Sequence, residues 1–379
     1  MRYATTILAF CVAGLLALGM VMLYSAGMAT GGARYLMMQL VWGGLGLAVC
    51  FAATSIDYQI LRRFAMPLFI GTLVLLVLVL VPGIGIKLNG ARRWFDLGPM
   101  NFQPSELAKI TLLIAIAAWG DEHVKKMREF RHGLLLPGAF IGLTLGLVFL
   151  GPDFGTTMLL ATVCCILLFV AGTHWKYLIP PMGAGAAAIT VAIMNDPLRM
   201  KRITAFLHPE QHREDTGFQA YQAMLALGSG GSTGLGLGNG RQKLGFVPEH
   251  HTDFIFSVIG EELGVVASLL VVLAFAAIVI CGLYIAWHSR DRFGMILGTG
   301  ITFLIGLQAF INIGVVTSAL PNKGLPLPFI SYGGSSLVMM LGSVGVLLSI
   351  ANRAGESPPE KTKEHDPEHE PQELLPEIL

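Results

Sequence analysis

One aspartate, Asp253, stands where a long polar segment ends and an apolar segment begins, in the run PEHHTDFIF at 248–256. A carboxylate deep in hydrocarbon costs about 2.5–3.5 kcal/mol on membrane-insertion scales, and less near the interface. Side chains that carry this cost are usually functional. We therefore take Asp253 as the candidate catalytic residue, a general base for a hydroxyl group that it reaches within about 3 Å.

Two further acids and one base also lie in apolar surroundings. Glu106 and Lys109 occur in the run QPSELAK, where Pro104 suits the first turn of a helix. Their i,i+3 spacing puts both charges on one helix face, where they can pair. The pair is either an internal ion pair that only lets the helix insert into the membrane, or it supports a functional site. Asp153, in the run GPDFG, is in the same way either a turn residue or a site carboxylate.

A set of cations accompanies these acids. The candidate substrate-binding cations are Arg92, Arg93, Arg241, Lys243 and Lys323. No nucleotide-binding feature lies in the segments predicted to face the cytoplasm, so a nucleotide does not supply the energy for the chemistry. That energy must arrive with the substrate. A lipid-linked pyrophosphate meets this condition, because the cations hold the diphosphate leaving group while a carboxylate deprotonates the attacking hydroxyl.

The glycine-rich run 228–240 resembles a nucleotide-binding loop only superficially. It follows no predicted strand and lacks the Lys-Ser/Thr ending of such loops. We expect a flexible loop at the bilayer surface, although its backbone amides could also meet a phosphate.

A metal site near Asp253 is the remaining chemical alternative. Glu249, His250 and His251 precede the aspartate, but adjacent histidines point in different directions. A loosely held Mg²⁺ or Mn²⁺, bound by one or two carboxylates and substrate phosphates, fits better than a designed cage. No cofactor is certain from the sequence.

The composition shows what must position these residues. The chain of 379 residues is 54% hydrophobic and 13% charged, which is typical of an integral membrane protein. Each apolar segment approaches or exceeds the ~20 residues needed to span a bilayer, which predicts an all-α polytopic protein and not a barrel. The ten predicted transmembrane segments are 4–25, 35–54, 62–82, 104–120, 133–150, 156–172, 175–194, 254–287, 293–317 and 331–351.

Outside these segments, residues 195–252 form one long loop between predicted helices 7 and 8. An amphipathic piece that begins at Asp196 is expected to lie along the membrane surface, and 217–227 forms a helix too short to span. We divide the chain into a membrane domain, 1–352, and a disordered, acidic cytoplasmic tail, 353–379.

Lysine and arginine set the orientation. With the N-terminus in the cytoplasm, most Lys and Arg of the short loops lie inside, as the positive-inside rule requires. Both termini are then cytoplasmic, and Asp253 faces outward.

Seven motifs give a family resemblance. They are RRWFDLG (92–98), FQPSELAK (102–109), PDFGT (152–156), GNGRQK (238–243), PEHHTDFIF (248–256), GEELG (260–264) and PLPFISYGGS (326–335). In this order they resemble the shape, elongation, division and sporulation (SEDS) family over the whole of 1–352. GNGRQK and LPNKGLP (320–326) resemble the division branch more than the elongation branch.

The resemblance implies a ten-helix peptidoglycan glycosyltransferase that polymerises lipid II at the outer leaflet of the bacterial cytoplasmic membrane. It implies a class B penicillin-binding protein transpeptidase as a partner, other division or elongation proteins as further partners, and no nucleic acid. By motif, Asp253 is the essential acid and general base, and Glu106, Lys109 and Asp153 support the site. The alternatives are a lipid II flippase, an elongation-type polymerase and a non-catalytic scaffold.

Overall fold

All ten predicted segments are helical in the structure, a computed structural model that describes residues 1–27, 32–88, 90–96, 98, 101–207, 217–240, 252–322 and 324–354. The helices are α1 (Arg2–Gly27), α2 (Gly32–Ser55), α3 (Gln59–Arg63), α4 (Ala65–Leu80), α5 (Pro104–Glu122), α6 (Leu136–Leu150), α7 (Phe154–Val170), α8 (Trp175–Met194), α9 (Pro197–Leu207), α10 (Phe218–Gly230), α11 (Ile255–Trp287), α12 (Arg292–Val316) and α13 (Gly334–Ala354). A single π-helical turn, Arg131–Leu135, leads into α6. The tail from residue 355 onward lies outside the described residues.

Helix length and composition identify a multi-pass membrane protein. Within the described residues, seven helices are long and apolar enough to cross a bilayer. Two more predicted segments form the shorter apolar helices α4 and α7. The remaining one, α5, buries its charged residues Glu106 and Lys109 inside the bundle. The large apolar side chains left on the outer surface, such as Phe10 and Leu273, need lipid around them.

The interior of the bundle is built around α12. This helix packs against α5, α7, α11 and α13, while α13 packs along α2 and α11 packs along α1. Both α12 and α13 are mostly buried, whereas α8 is mostly exposed. Long polar side chains on α12 are therefore enclosed by protein, and Gln308 and Asn312 are at most 1% exposed.

A small antiparallel sheet joins α4 to α5. Its strands are β1 (Ile86–Leu88), β2 (Ala91–Asp96) and β3 (Asn101–Phe102), in the order β1-β2-β3. Ile86 pairs with Trp94, and Phe95 pairs with Phe102. The sheet ends directly before Pro104, so it lies at the end of the bundle where α5 begins.

The long segment between α8 and α11 contains two helices, α9 and α10, at the places where the sequence predicts an amphipathic piece and a short helix. The glycine-rich run that follows is a largely exposed loop, as expected, and it is also hydrogen-bonded to α11. Leu235 and Gly236 donate backbone N–H groups to the carbonyl oxygens of Glu261 and Glu262, both at 3.0 Å. These carbonyl groups are available because α11 breaks at Gly264, whose φ is +78°.

The glycines of the run explain why it can pack on α11, because they have no Cβ atoms. A Cβ atom on Gly234 would lie 2.1 Å from the carbonyl oxygen of Glu262. Only glycine allows this approach, because any side chain would collide with the helix backbone. The run is thus packed onto the kink of α11.

Candidate active site

Four of the predicted site residues line one cavity of about 370 Å³ at the sheet end of the bundle. Arg93 comes from β2, Glu106 from the first turn of α5, Asp153 from the start of α7, and Asp253 from the turn before α11. The other lining residues are Ala91, Trp94, Gln103, Thr156, Thr252, Gly324, Leu325, Pro326, Tyr332, Gly333, Ser335 and Ser336. The cavity therefore gathers three carboxyl groups and one arginine from four separate segments.

The loop before α13 closes over Asp253. A Cβ atom on Gly324 would lie 2.7 Å from Asp253 Oδ2, so the glycine backbone packs against the carboxylate. Ser331 ties the same loop to the turn that carries the aspartate, because its hydroxyl donates to the carbonyl oxygen of Thr252 at 2.6 Å. The same hydroxyl accepts the N–H of Leu327 at 2.8 Å. The carboxylate and the loop therefore form one packed unit.

Two buried amide side chains on α12 anchor this unit to the interior of the bundle. Asn312 Nδ2 donates to the carbonyl oxygens of Asp253, at 2.8 Å, and Leu325, at 2.7 Å. One helical turn earlier, Gln308 Nε2 donates to the carbonyl oxygen of Pro326 at 2.9 Å. Sequence reasoning missed both residues. Their signal was a pair of amides at i,i+4 in an otherwise apolar span, where polar groups are expensive.

The predicted pairing of Glu106 with Lys109 is confirmed. Lys109 Nζ lies 2.8 Å from Glu106 Oε1 and donates to Gln308 Oε1 at 3.1 Å. Glu106 lines the cavity, whereas Lys109 lies behind it and is completely buried. Lys109 thus links α5 to the amide pair on α12, and its charge is already matched by a carboxylate.

Asp153 combines the two roles that the sequence left open. It caps α7 by accepting the N–H of Thr156 at 3.1 Å, and it also lines the cavity. The side chain is buried, and Gln103 Nε2 lies 3.5 Å from its second oxygen. The helix N-terminus stabilises the negative charge of this carboxylate.

The two neighbouring arginines of β2 differ in position. Arg93 donates to the carbonyl oxygens of Gly151 and Pro152, which fixes the sheet to the turn before Asp153. Arg92 does not line the main cavity. It lines a narrow crevice beside it, together with Leu76 and other apolar residues of α4.

The other predicted cations, Arg241, Lys243 and Lys323, lie outside the described residues, as do Glu249, His250 and His251. Within the described ranges, no group of three or more His, Cys, Asp or Glu side chains is arranged to hold a metal ion.

Glu262 of α11 has a packing role. Glu262 accepts hydrogen bonds from the Ser25 hydroxyl, at 2.6 Å from the nearer oxygen, and from the Gly238 N–H at 3.0 Å. This carboxylate therefore fastens α1 and the glycine-rich run to α11. It does not line the cavity that holds Asp253.

Comparison with known proteins gives consistent matches along nearly the whole chain. The model of the FtsW, RodA and SpoVE family, described as "Cell cycle protein", matches residues 5–356. The chain is 43% identical over 364 residues to the "Probable peptidoglycan glycosyltransferase FtsW" of Geobacter sulfurreducens, covering 94% of this chain and 97% of the relative.

Two solved structures share the fold. One is described as "Structural coordination of polymerization and crosslinking by a peptidoglycan synthase complex"; it has a TM-score of 0.78 and 31% identity, and covers 92% of this chain and 98% of its own. The other is the Thermus thermophilus rod shape determining protein RodA, with a TM-score of 0.69, 29% identity and coverage of 92% and 97%. The motifs, the fold and these matches agree: the chain belongs to the FtsW/RodA/SpoVE family, with most similarity to its FtsW members.

Proposed function

We propose that this protein is a peptidoglycan glycosyltransferase that polymerises lipid II, the undecaprenyl-pyrophosphate-linked disaccharide peptide, during cell division. The observation that carries the proposal is the cavity in which Asp253, Asp153 and Glu106 meet at one end of the bundle. A site for sugar transfer from a diphosphate needs a base for the attacking hydroxyl and a polar enclosure for the leaving group.

Asp253 acts as the general base. Its carboxylate takes the proton of the acceptor 4-hydroxyl while the hydroxyl oxygen bonds to C1 of the donor sugar. The C1–O bond to the diphosphate breaks, and the diphosphate leaves with the electron pair. Gly324 supports this role because, without a side chain, it leaves room beside Oδ2 of Asp253.

The leaving group requires positive charge. Arg93 lines the cavity, and the sequence adds Arg241, Lys243 and Lys323 as diphosphate ligands. Arg92, beside the cavity, contributes to the potential without lining it. Lys109 supports the site by holding Glu106 and Gln308 in place. A Mg²⁺ or Mn²⁺ ion, held by one or two carboxylates and the substrate diphosphate, would add further positive charge at the leaving group.

We place the protein in the bacterial cytoplasmic membrane with both termini inside and the cavity on the outer face. The excess of Lys and Arg in the short loops at the other end of the bundle supports this orientation. We further propose a class B penicillin-binding protein as the cross-linking partner, together with other division-complex proteins. Similarity to a chain of a complex described by both polymerization and crosslinking supports that pairing.

The test is polymerisation of purified lipid II by the full chain with its transpeptidase partner in detergent, read as glycan ladders on a gel. Asp253→Asn should lower the rate about 10²–10⁴-fold, the usual contribution of a general base. Asp96→Asn is the matched control. Asp96 is an exposed β2 carboxylate outside the cavity that accepts the N–H of Gly98 at 2.8 Å, and asparagine keeps that acceptor.

Two results would overturn the proposal. Wild-type protein that forms no glycan yet moves lipid II across vesicle membranes would be a flippase. Equal ladders from wild type and Asp253→Asn would remove Asp253 from the chemistry.

A further inference from the structure

A second cavity, of about 430 Å³, lies at the opposite end of the bundle and is basic. It is lined by Lys125, Arg128 and Arg292, together with Val124 and Gly172. Val124, Lys125 and Arg128 follow the end of α5, Gly172 follows the end of α7, and Arg292 is the first residue of α12. The first turns of α5 and α7 help to build the cavity of Asp253, so the two cavities lie at opposite ends of the bundle.

The three cations of this cavity have no carboxylate partner in the described part of the chain. Two nearby acids are engaged elsewhere: Asp121 pairs with Arg62 at 2.8 Å, and Glu129 with His132 at 3.0 Å. Arg292 donates to the carbonyl oxygen of Ala171 at 2.7 Å.

The Nε atom of Arg292 is buried and meets no acceptor among the described residues. Three unmatched cations around one opening produce a local positive potential that favours an anion.

The chain itself supplies an anionic segment, which begins directly after α13. Residues 355–379 follow α13 and contain only two bases, Lys361 and Lys363. Their acids are Glu356, Glu360, Glu364, Asp366, Glu368, Glu370, Glu373 and Glu377. At up to about 3.3 Å per residue, a segment of this length easily covers the end of a helical bundle.

The end of α13 lies close to the basic cavity. Arg353 Nε lies 3.8 Å from Asp57 Oδ2, and the next residue, Tyr58, donates its hydroxyl to Asp291. Asp291 directly precedes Arg292, which lines the cavity. The acidic segment therefore starts a few side chains away from the cations that it complements.

We propose that the acidic tail, 355–379, docks its carboxylates in the basic cavity formed by Lys125, Arg128 and Arg292. The carboxylates of the tail then neutralise the three cations of this cavity. This inference is independent of the reaction at Asp253. Because the contacts are exposed ion pairs, high salt should release the tail.

Lysine acylation tests the docking in the full chain. The protein in neutral detergent is treated briefly with an amine-acylating ester, and the modification of each lysine is measured by mass spectrometry. A variant with all eight tail acids replaced by their amides provides the comparison. Lys125 should react about threefold to tenfold faster in this variant, as expected for losing two or three exposed ion pairs. Lys126, adjacent and exposed but outside the cavity, is the internal control and should not change.

A carbodiimide cross-link gives an independent measurement, because it joins Lys125 to tail glutamates only when they touch. Such cross-links should form in the wild type at low protein concentration and disappear in 1 M salt.

Equal Lys125 reactivity in the two chains, with no cross-link to the tail, would overturn the proposal. So would protection of Lys125 that requires phosphatidylglycerol in nanodiscs and persists in the amide variant, because the occupant would then be a lipid headgroup.

Discussion

Replacement of Asn312 by leucine tests whether the amide pair on α12 holds the catalytic aspartate in place. The amide of Asn312 donates to the carbonyl oxygens of Asp253 and Leu325, at 2.8 and 2.7 Å, and the side chain is 1% exposed. Leucine has a similar size but no donor, so the buried carbonyl group of Leu325 and the partly buried one of Asp253 would both lose the hydrogen bond from this amide.

The size of the effect follows from these two bonds. A buried polar group that loses its partner costs about 1–3 kcal/mol and a partly exposed one costs less, so the anchored arrangement loses about 2–4 kcal/mol. Even about 2 kcal/mol depopulates that arrangement about thirtyfold, at about 1.4 kcal/mol per factor of ten. We therefore expect Asn312→Leu to lower the polymerisation rate by at least this factor, mainly through kcat, because the substrate-binding cations are untouched.

The assay is glycan formation from lipid II over a range of substrate concentrations, combined with thermal unfolding in detergent. Thr302→Val is the matched control on the same helix, since the buried Thr302 hydroxyl donates only to Gly298 of its own helix, at 2.7 Å. The control should keep its rate. A rate for Asn312→Leu within twofold of wild type, in a protein that unfolds at the wild-type temperature, would refute the reasoning.

Three other predictions follow from the described contacts. Lys109→Met leaves Glu106 as an unpaired buried charge, which costs about 3–5 kcal/mol. We therefore expect a lower midpoint of thermal unfolding and little polymerisation. Adding Glu106→Gln removes the unpaired charge and should restore much of the stability. Gly324→Ala places a Cβ atom 2.7 Å from Asp253 Oδ2, so the polymerisation rate should fall about tenfold or more while the midpoint changes little. Burial is the main cause that raises the pKa of Tyr58 far above its usual range, and the hydrogen bond to the carboxylate of Asp291 is the second. The neutral Tyr58 hydroxyl makes its full contribution to the free energy of unfolding below pH about 10, and this contribution is lost as the pH rises toward the pKa of the folded state. The thermal midpoints of wild type and Tyr58→Phe should therefore converge above pH about 10.

Controls separate these effects from general damage. Gly44→Ala, where no atom lies within 4 Å of the added carbon, should keep full activity. A Lys109→Met protein with wild-type activity would show that the ion pair serves insertion alone. An unchanged rate in Gly324→Ala would mean that the loop does not pack on the carboxylate during the reaction. A constant difference in midpoint across the alkaline range would contradict the expectation for Tyr58.

The sequence alone established the features that depend on local pattern. Long apolar runs have few ways to satisfy their backbone in a bilayer, so every predicted span is a helix. The i,i+3 spacing of Glu106 and Lys109 is enough to bring them together, since neighbours on a helix face meet whatever surrounds the helix. The cost of a carboxylate at the membrane surface likewise singled out Asp253 without any tertiary information.

Features that depend on contacts between distant segments could not be predicted in this way. The glycine-rich run is the exposed loop that the sequence predicts, but composition alone does not reveal that its glycines fit against the broken backbone of α11. Two adjacent arginines look equivalent in the sequence, yet only Arg93 lines the main cavity.

The support of Asp253 is likewise a tertiary property. Asn312 is 59 residues from Asp253 along the chain, and Gln308 is 199 residues from Lys109, yet both pairs are in hydrogen-bond contact. Such pairs form only when α5, α11 and α12 pack together, because burial then forces each polar group to find its partner inside the bundle. The sequence thus predicted which carboxylate takes the proton, and the packing of the helices decided what holds that residue in position.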